Sequence, residues 1–187
     1  DVASVFNDLT AATHTQKHHL MIVAPVTMRS RFVELIRREA NNAHEGRPSG
    51  IDAKMNQLQD REIIDELYLA SQAGVPIRLV VRGLCCLKPG VPGLSDNIRV
   101  LSIVGRFLEH SRIYRFHNGG DPEYFIGSAD WMRRNLTKRI ETIMPALDRQ
   151  IRHELADILD VYFQDNDTAW EGLPNGSYRR RRPADNE

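Results

Sequence analysis

The stretch from Ile51 to Val81 constrains the fold more than any other. Ile51-Asp52-Ala53-Lys54-Met55 alternates with the period of a strand, and Asp60 to Ala73 then places Ile63, Ile64, Leu67 and Ala70 at helical spacing. Gly74 stops that helix, and Ile77-Arg78-Leu79-Val80-Val81 reads as strand again. Strand, helix and strand joined by short turns predict an α/β fold: a mixed, largely parallel sheet with helices on both faces. Ligands of such sheets gather at the carboxyl ends of strands, so Arg82 and Gly83, just past Val81, mark the expected mouth of a site.

The rest of the chain continues the alternation. Val2 to Leu9 has apolar residues at helical spacing. His18 to Ala24 is a compact apolar run closed by Pro25, consistent with a buried strand, and Thr27 or Ser30 is placed to cap a helix reaching about Ala43. The Pro- and Gly-rich loop Leu87 to Asn97 is expected to hang over the mouth. Beyond it come a strand at Ile98 to Ile103, an apolar run at Tyr124 to Ile126, a helical-looking Trp131 to Leu136 and a strand-like segment around Arg139 to Ile143. A helix from Asp148 to about Phe163 carries the stripe Ile151, Leu155, Ile158, Leu159 and Tyr162. Residues from Leu173 onward have little core-forming content, so 1–172 is expected as one domain and 173–187 as a flexible basic tail.

A length of 187 residues suits one domain with a substantial core. The formal charge is zero, with 25 basic and 25 acidic side chains, so a generally basic nucleic-acid binder is not indicated and any anion site must be local. The only cysteines, Cys85 and Cys86, are adjacent, too close for an ordinary disulfide, and read as buried small hydrophobes in a reducing compartment. No apolar run reaches the roughly 18 residues a membrane helix needs, and no signal peptide is visible. A cytoplasmic protein is expected, with peripheral attachment to the inner membrane left open. The chain opens at Asp1 without a methionine and is expected to be part of a larger protein.

Chemistry concentrates between Gly105 and Asn135. His110 and Arg112 share one face of an extended segment while Ser111 points to the other. A neutral imidazole can attack phosphorus or move a proton, and a guanidinium holds phosphoryl oxygens with a planar fork of donors. Small residues in Gly127-Ser128-Ala129-Asp130 are expected to let backbone N–H groups approach an anion. Arg106, Arg133, Arg134, Lys138 and Arg139 either raise the local positive potential or are ordinary surface cations paired with Glu109 and Glu141. Lys54 is open between a site cation and an edge-strand charge. His14, His18, His19, His44, His117 and His153 lack coherent ligand spacing and read as structural or surface residues. Trp131 and Trp170 read as packing residues.

The order His110-Ser111-Arg112, then Gly127-Ser128-Ala129-Asp130 and Asn135, resembles the second half of a phospholipase D superfamily site, with Arg112 departing from the usual lysine. Longer segments are similar to the C-terminal domain of the large bacterial polyphosphate kinase family. They include Ala24 to Arg31, Ala53-Lys54-Met55-Asn56, Val81-Arg82-Gly83-Leu84-Cys85-Cys86-Leu87, Gly93 to Arg99, Ser102 to His110 and Ser128-Ala129-Asp130-Trp131-Met132. The resemblance implies a phospholipase D-like sheet in part of an enzyme that moves the terminal phosphate of ATP reversibly onto inorganic polyphosphate. It implies a phosphohistidine in a preceding domain, Arg82 as a nucleotide-phosphate contact, and His110 as the second active-site histidine, both catalytic and phosphate-binding. ATP is then the substrate, and magnesium is expected in the complete enzyme with its ligands outside this chain. The implied partners are ATP or ADP, polyphosphate, the upstream domains and further copies in a homo-oligomer, without nucleic acid. Two other readings stay open: a single-motif phospholipase D-like phosphodiesterase completed by homodimerisation, and a non-catalytic polyanion-binding module.

Overall fold

In a computed structural model, which describes residues 1–11 and 19–183, the elements run in the order α1 (Val2–Ala11), β1 (Ile22–Ala24), α2 (Met28–His44), β2 (Ile51–Met55), α3 (Arg61–Gln72), β3 (Ile77–Val81) and β4 (Ile98–Ile103). There follow β5 (Ile113–Phe116), a 3-10 turn at Asn118–Gly120, β6 (Glu123–Gly127), α4 (Arg133–Thr137), β7 (Glu141–Pro145), α5 (Arg149–Gln164), β8 (Ala169–Gly172) and β9 (Tyr178–Arg180). Among the described residues the strands form one nine-stranded sheet in the order β1-β7-β6-β5-β2-β3-β4-β8-β9.

The mixed sheet holds, but its direction does not. Only β2–β3 and β3–β4 are parallel; the other six pairings are antiparallel. The helix crossover that signals a parallel pair occurs between β2 and β3, whereas β5 and β6 are joined through the short turn at Asn118–Gly120 and reverse direction. The loop Leu87 to Asn97 is corrected by the same logic. Because β3 and β4 are parallel, this segment must return from the carboxyl end of one to the amino end of the other. It packs on the end of α3, where Gln72 Nε2 donates to Gly93 O and Asn97 Nδ2 to Ser71 O, rather than over the mouth. The tail also differs from the expected loose end: β9 pairs with β8 through Trp170 and Arg180 and extends the sheet.

Strand alternation builds two layers. Ile51, Ala53, Met55, Leu79, Val81, Tyr114, Phe116 and Phe125 face α2 and α3, whose Phe32, Leu35, Ile36, Ile63 and Leu67 complete the main core. Phe32, Tyr114 and Trp131 interlock there with ring centroids 4.9 to 5.5 Å apart, each such pair adding about 0.5–1.5 kcal/mol beyond area burial. Trp131 is therefore a packing residue, whereas Trp170 is half-exposed on β8. The opposite face is covered by α5 through Leu155 and Leu159, with Ile113, Tyr124, Val80, Leu101 and Ile103 beneath. Asp60 caps α3 by accepting from the Ile63 N–H, and Gly74 closes it in the left-handed conformation (φ +94°). Among the described residues no helix is long and apolar enough to cross a membrane.

Gly127 is needed for close approach. A Cβ built there would stand 2.1 Å from Thr142 O and 2.8 Å from Ile143 Cα, both backbone atoms of β7. Gly127→Ala is expected to lower stability by at least the roughly 1–3 kcal/mol of overpacking; chemical denaturation measures it, and an unchanged midpoint would show that β7 yields freely.

Candidate functional site

The carboxyl ends of β2, β3 and β6 and the amino end of β5 lie at one end of the sheet. This brings together Lys54 and Asn56 from β2 and its exit, Arg82 from the exit of β3, His110 and Arg112 ahead of β5, and Asp130 past β6. Separations of up to 76 positions in sequence, Lys54 to Asp130, thus collapse into one cluster.

Asp130, almost fully buried, is the centre. One of its carboxylate oxygens accepts from the Asn56 backbone N–H at 2.8 Å, from Asn56 Nδ2 at 3.2 Å and from Arg112 Nε at 3.0 Å, and the other from Arg112 Nη2 at 3.3 Å. Asn56 Oδ1 in turn accepts from Arg82 Nε at 3.0 Å. Among the described residues the Arg82 Nη groups have no partner, so the outer edge of that guanidinium is open to a ligand.

His110 and Arg112 do share a face. Arg112 Nη1 lies 3.1 Å from His110 Nδ1 and also donates to His110 O at 3.0 Å, while Ser111 Oγ turns the other way, 3.4 Å from Tyr162 OH. Arg112 Nη2 also lies 3.5 Å from His110 Nε2, so the donor-only guanidinium stands against both ring nitrogens. The Arg112 charge, followed by burial and Arg82, holds His110 below the usual histidine range. The exposed imidazole is therefore neutral near pH 7.

The Gly127-Ser128-Ala129-Asp130 turn is not the backbone anion cradle expected from its small residues. The Ser128 N–H donates to Thr142 O and the Asp130 N–H to Asn135 Oδ1, so both are spent inside the fold. Asn135 is fixed by donating Nδ2 to Glu141. Lys54 is not an edge charge, since β2 lies in the middle of the sheet; it is fully buried and donates to the carbonyls of Glu109 and Ser111. Arg139 approaches Glu141 at 4.0 Å, but Glu109 accepts from Tyr162 OH and pairs with none of the nearby cations. Arg133, Arg134 and Lys138 are exposed.

Asn56 and the acceptor role of Asp130 were not foreseen from sequence. The signals for Asn56 were its place two positions beyond Lys54 on the same strand face and its inclusion in the segment Ala53-Lys54-Met55-Asn56. Among the other histidines, His117 lies 3.9 Å from Asp52, His153 pairs with Asp157 on α5, and His19 and His44 are exposed. His14 and His18 lie outside the described residues. Cys85 is half-buried, with its thiol pushed up by burial, and Cys86 is exposed, so the reading of both as buried hydrophobes fails for Cys86.

Replacing Arg112 with Gln removes the main charge acting on His110. Its titration is expected to move upward toward the ordinary value near 6.5, followed through the imidazole ring NMR signal. An unmoved titration would refute the Arg112 contact as its cause.

A family model described as polyphosphate kinase C-terminal domain 2 matches residues 21–187. The polyphosphate kinase of Thermosynechococcus vestitus is 54% identical over all 187 residues, which are 26% of its length. That of Pseudomonas aeruginosa is 48% identical over the whole chain, 27% of its length. The chain thus spans about a quarter of the length of these curated relatives. A crystal structure of polyphosphate kinase from Porphyromonas gingivalis matches the entire chain with a TM-score of 0.93 and 42% identity, over 29% of that chain. Nuc from Salmonella typhimurium, a phospholipase D family member, matches with a TM-score of 0.56 over 87% of this chain and 97% of its own; at 12% identity the likeness is one of fold.

Proposed function

Because the chain belongs to the polyphosphate kinase C-terminal domain 2 family, we propose that it forms the phosphate-facing half of a phosphotransferase site in a longer enzyme. That enzyme moves the terminal phosphate of ATP reversibly onto inorganic polyphosphate, through a phosphohistidine carried by a part of the enzyme upstream of this chain. The observation that carries this reading is the cationic front of the cluster: the open edge of Arg82 beside a neutral, exposed His110 held against the Arg112 guanidinium. Phosphoryl transfer demands alignment and neutralisation of oxygen charge more than covalent chemistry from the protein. Arg82 binds nucleotide phosphates here, and His110 donates to an oxygen on which charge develops. ATP is the substrate; the complete enzyme is a cytoplasmic homo-oligomer.

The family resemblance also implies magnesium. Among the described residues no group of three or more His, Cys, Asp or Glu is placed to hold a metal ion, so these residues do not make a magnesium site and no step is routed through one here.

The same ring argues against the phosphodiesterase alternative. A nucleophilic histidine is activated when a carboxylate or carbonyl accepts its other ring N–H. Here both ring nitrogens lie against the Arg112 guanidinium instead. The non-catalytic alternative differs in a measurable way, since it would bind polyphosphate in any context and never turn over.

Radiolabel transfer from ATP to protein and to polymer separates these readings. The 187-residue chain alone should be neither phosphorylated nor productive, and the longer enzyme should do both. In the longer enzyme His110→Ala should reduce turnover by the roughly 10²- to 10⁴-fold typical of an acid-base group, Arg82→Ala should weaken transfer while leaving the fold intact, and His117→Ala should do little. An acid-labile phosphate on the isolated chain, or equal losses from the two histidine variants, would overturn the assignment.

A further inference from the structure

We propose that Lys54 is a positioning residue for the phosphoryl-transfer step: its ammonium grips the two carbonyl oxygens that flank His110 and fixes where the imidazole stands. The proposal rests on the phosphotransferase reading above and deepens it. Lys54 Nζ donates to Glu109 O at 2.6 Å and to Ser111 O at 2.8 Å, one residue on either side of His110. That segment has no regular secondary structure of its own and follows the exposed run Val104 to Leu108. Nothing in its backbone ladder would otherwise hold the histidine still.

The grip is built from behind. Lys54 is 1% exposed, and Nζ lies 5.6 Å from the centroid of the Tyr162 ring on α5. The Tyr162 hydroxyl donates to Glu109 Oε2 at 2.6 Å, so α5 clamps the same segment. His110 and Arg112 then project to the opposite side, onto Asp130 and the open face. A methionine would fill this space with less desolvation penalty, so the buried ammonium is explained by what it holds rather than by packing.

The charges around Lys54 give the grip a pH dependence. Burial lowers the amine from the ordinary 10.5 to about 8; Glu109 and Asp130 oppose the shift, and Arg112 and Arg82 add to it. Tyr162 faces it from α5, and Asp52, two positions back on β2, is occupied by Arg78 and Arg115. With the folded value below the unfolded one, the charged form is disfavoured in the fold. It is present below about pH 8 and is lost as pH rises through that value. The carbonyl grip then loses its charge assistance and His110 is less firmly held.

The test uses the longer enzyme, comparing wild type with Lys54→Met and Lys54→Arg. Wild-type kcat should show an alkaline limb near pH 8. Folded Lys54→Met should lose roughly 10- to 100-fold in kcat, the scale of a small misplacement, with KM for ATP changed less than about twofold, and should lack that limb. Lys54→Arg stays charged and should lack it too, which keeps the proposal testable if Lys54→Met does not fold. An unchanged kcat in Lys54→Met, a loss confined to KM, a limb persisting in either variant, or no such limb in wild type would each overturn the proposal. A wild-type enzyme that makes no polymer would overturn the phosphotransferase reading itself, a failure distinct from an active enzyme indifferent to Lys54.

Discussion

The Asp130 carboxylate, with its donors from Asn56 and Arg112, ties the exit of β2 to the turn after β6 and to the entry of β5. Burying a carboxylate is unfavourable by several kcal/mol unless its lone pairs are filled and an opposite charge is close. Both conditions are met, and meeting them fixes three chain segments at once. The fold provides the positions, through the register of β2 with β5 and of β5 with β6. The carboxylate converts those positions into orientations of Arg112 and, one contact further, of His110. Through Asn56 it also reaches Arg82 on β3. Arg82 at the exit of β3 and Arg112 at the entry of β5 thus share one internal anchor.

That anchor belongs to a wider pattern on β2. Ile51, Ala53 and Met55 enter the main apolar core, while Asp52, Lys54 and Asn56 point to the face beneath α5 and are almost as completely buried. Each polar residue has its own solution. Burial alone would raise Asp52, yet the His117 ring 3.9 Å away, the hydrogen bonds from Arg78 and the Arg115 charge hold its carboxyl below the usual range. Lys54 spends its ammonium on carbonyls, and Asn56 uses its amide to link Asp130 with Arg82. A central strand with one polar buried face is expensive to build, and it places chemistry from mid-strand to strand end, where open sheets bind ligands.

Local signals were legible. The period-two run at Ile51 to Met55, the helical stripe and stop at Asp60 to Gly74, and the helix start at Asp148 appear in the structure within a residue or two of their sequence positions. The pairing of His110 with Arg112 followed from strand geometry alone. What failed depended on non-local pairing. Alternation at Asp52 and Lys54 looks the same for a solvated edge as for a strand five places into a nine-stranded sheet. Small residues at Gly127 to Asp130 suit an anion cradle or a tight approach of two strands, and only the position of Thr142 decides between them. Strand direction, likewise, is set by connection geometry that composition does not record.

The zero net charge and the cationic site are reconciled by how the acids are used. Around the mouth stand Arg82, Arg112 and Lys54, with Asp130 as the carboxylate among them, and Glu109 is turned toward Tyr162. Acidic partners elsewhere, such as Asp52 for Arg78 and Arg115 and Glu66 for Arg37, neutralise their cations locally. Positive charge therefore gathers at this sheet end, where low-dielectric surroundings make it act strongly at short range. In that field a protonated imidazole is disfavoured, which is why the histidine beside the arginine stays neutral. The fixed charge beside the ring is supplied by the two guanidiniums. The ring beside them stays uncharged at the exposed edge of the cluster.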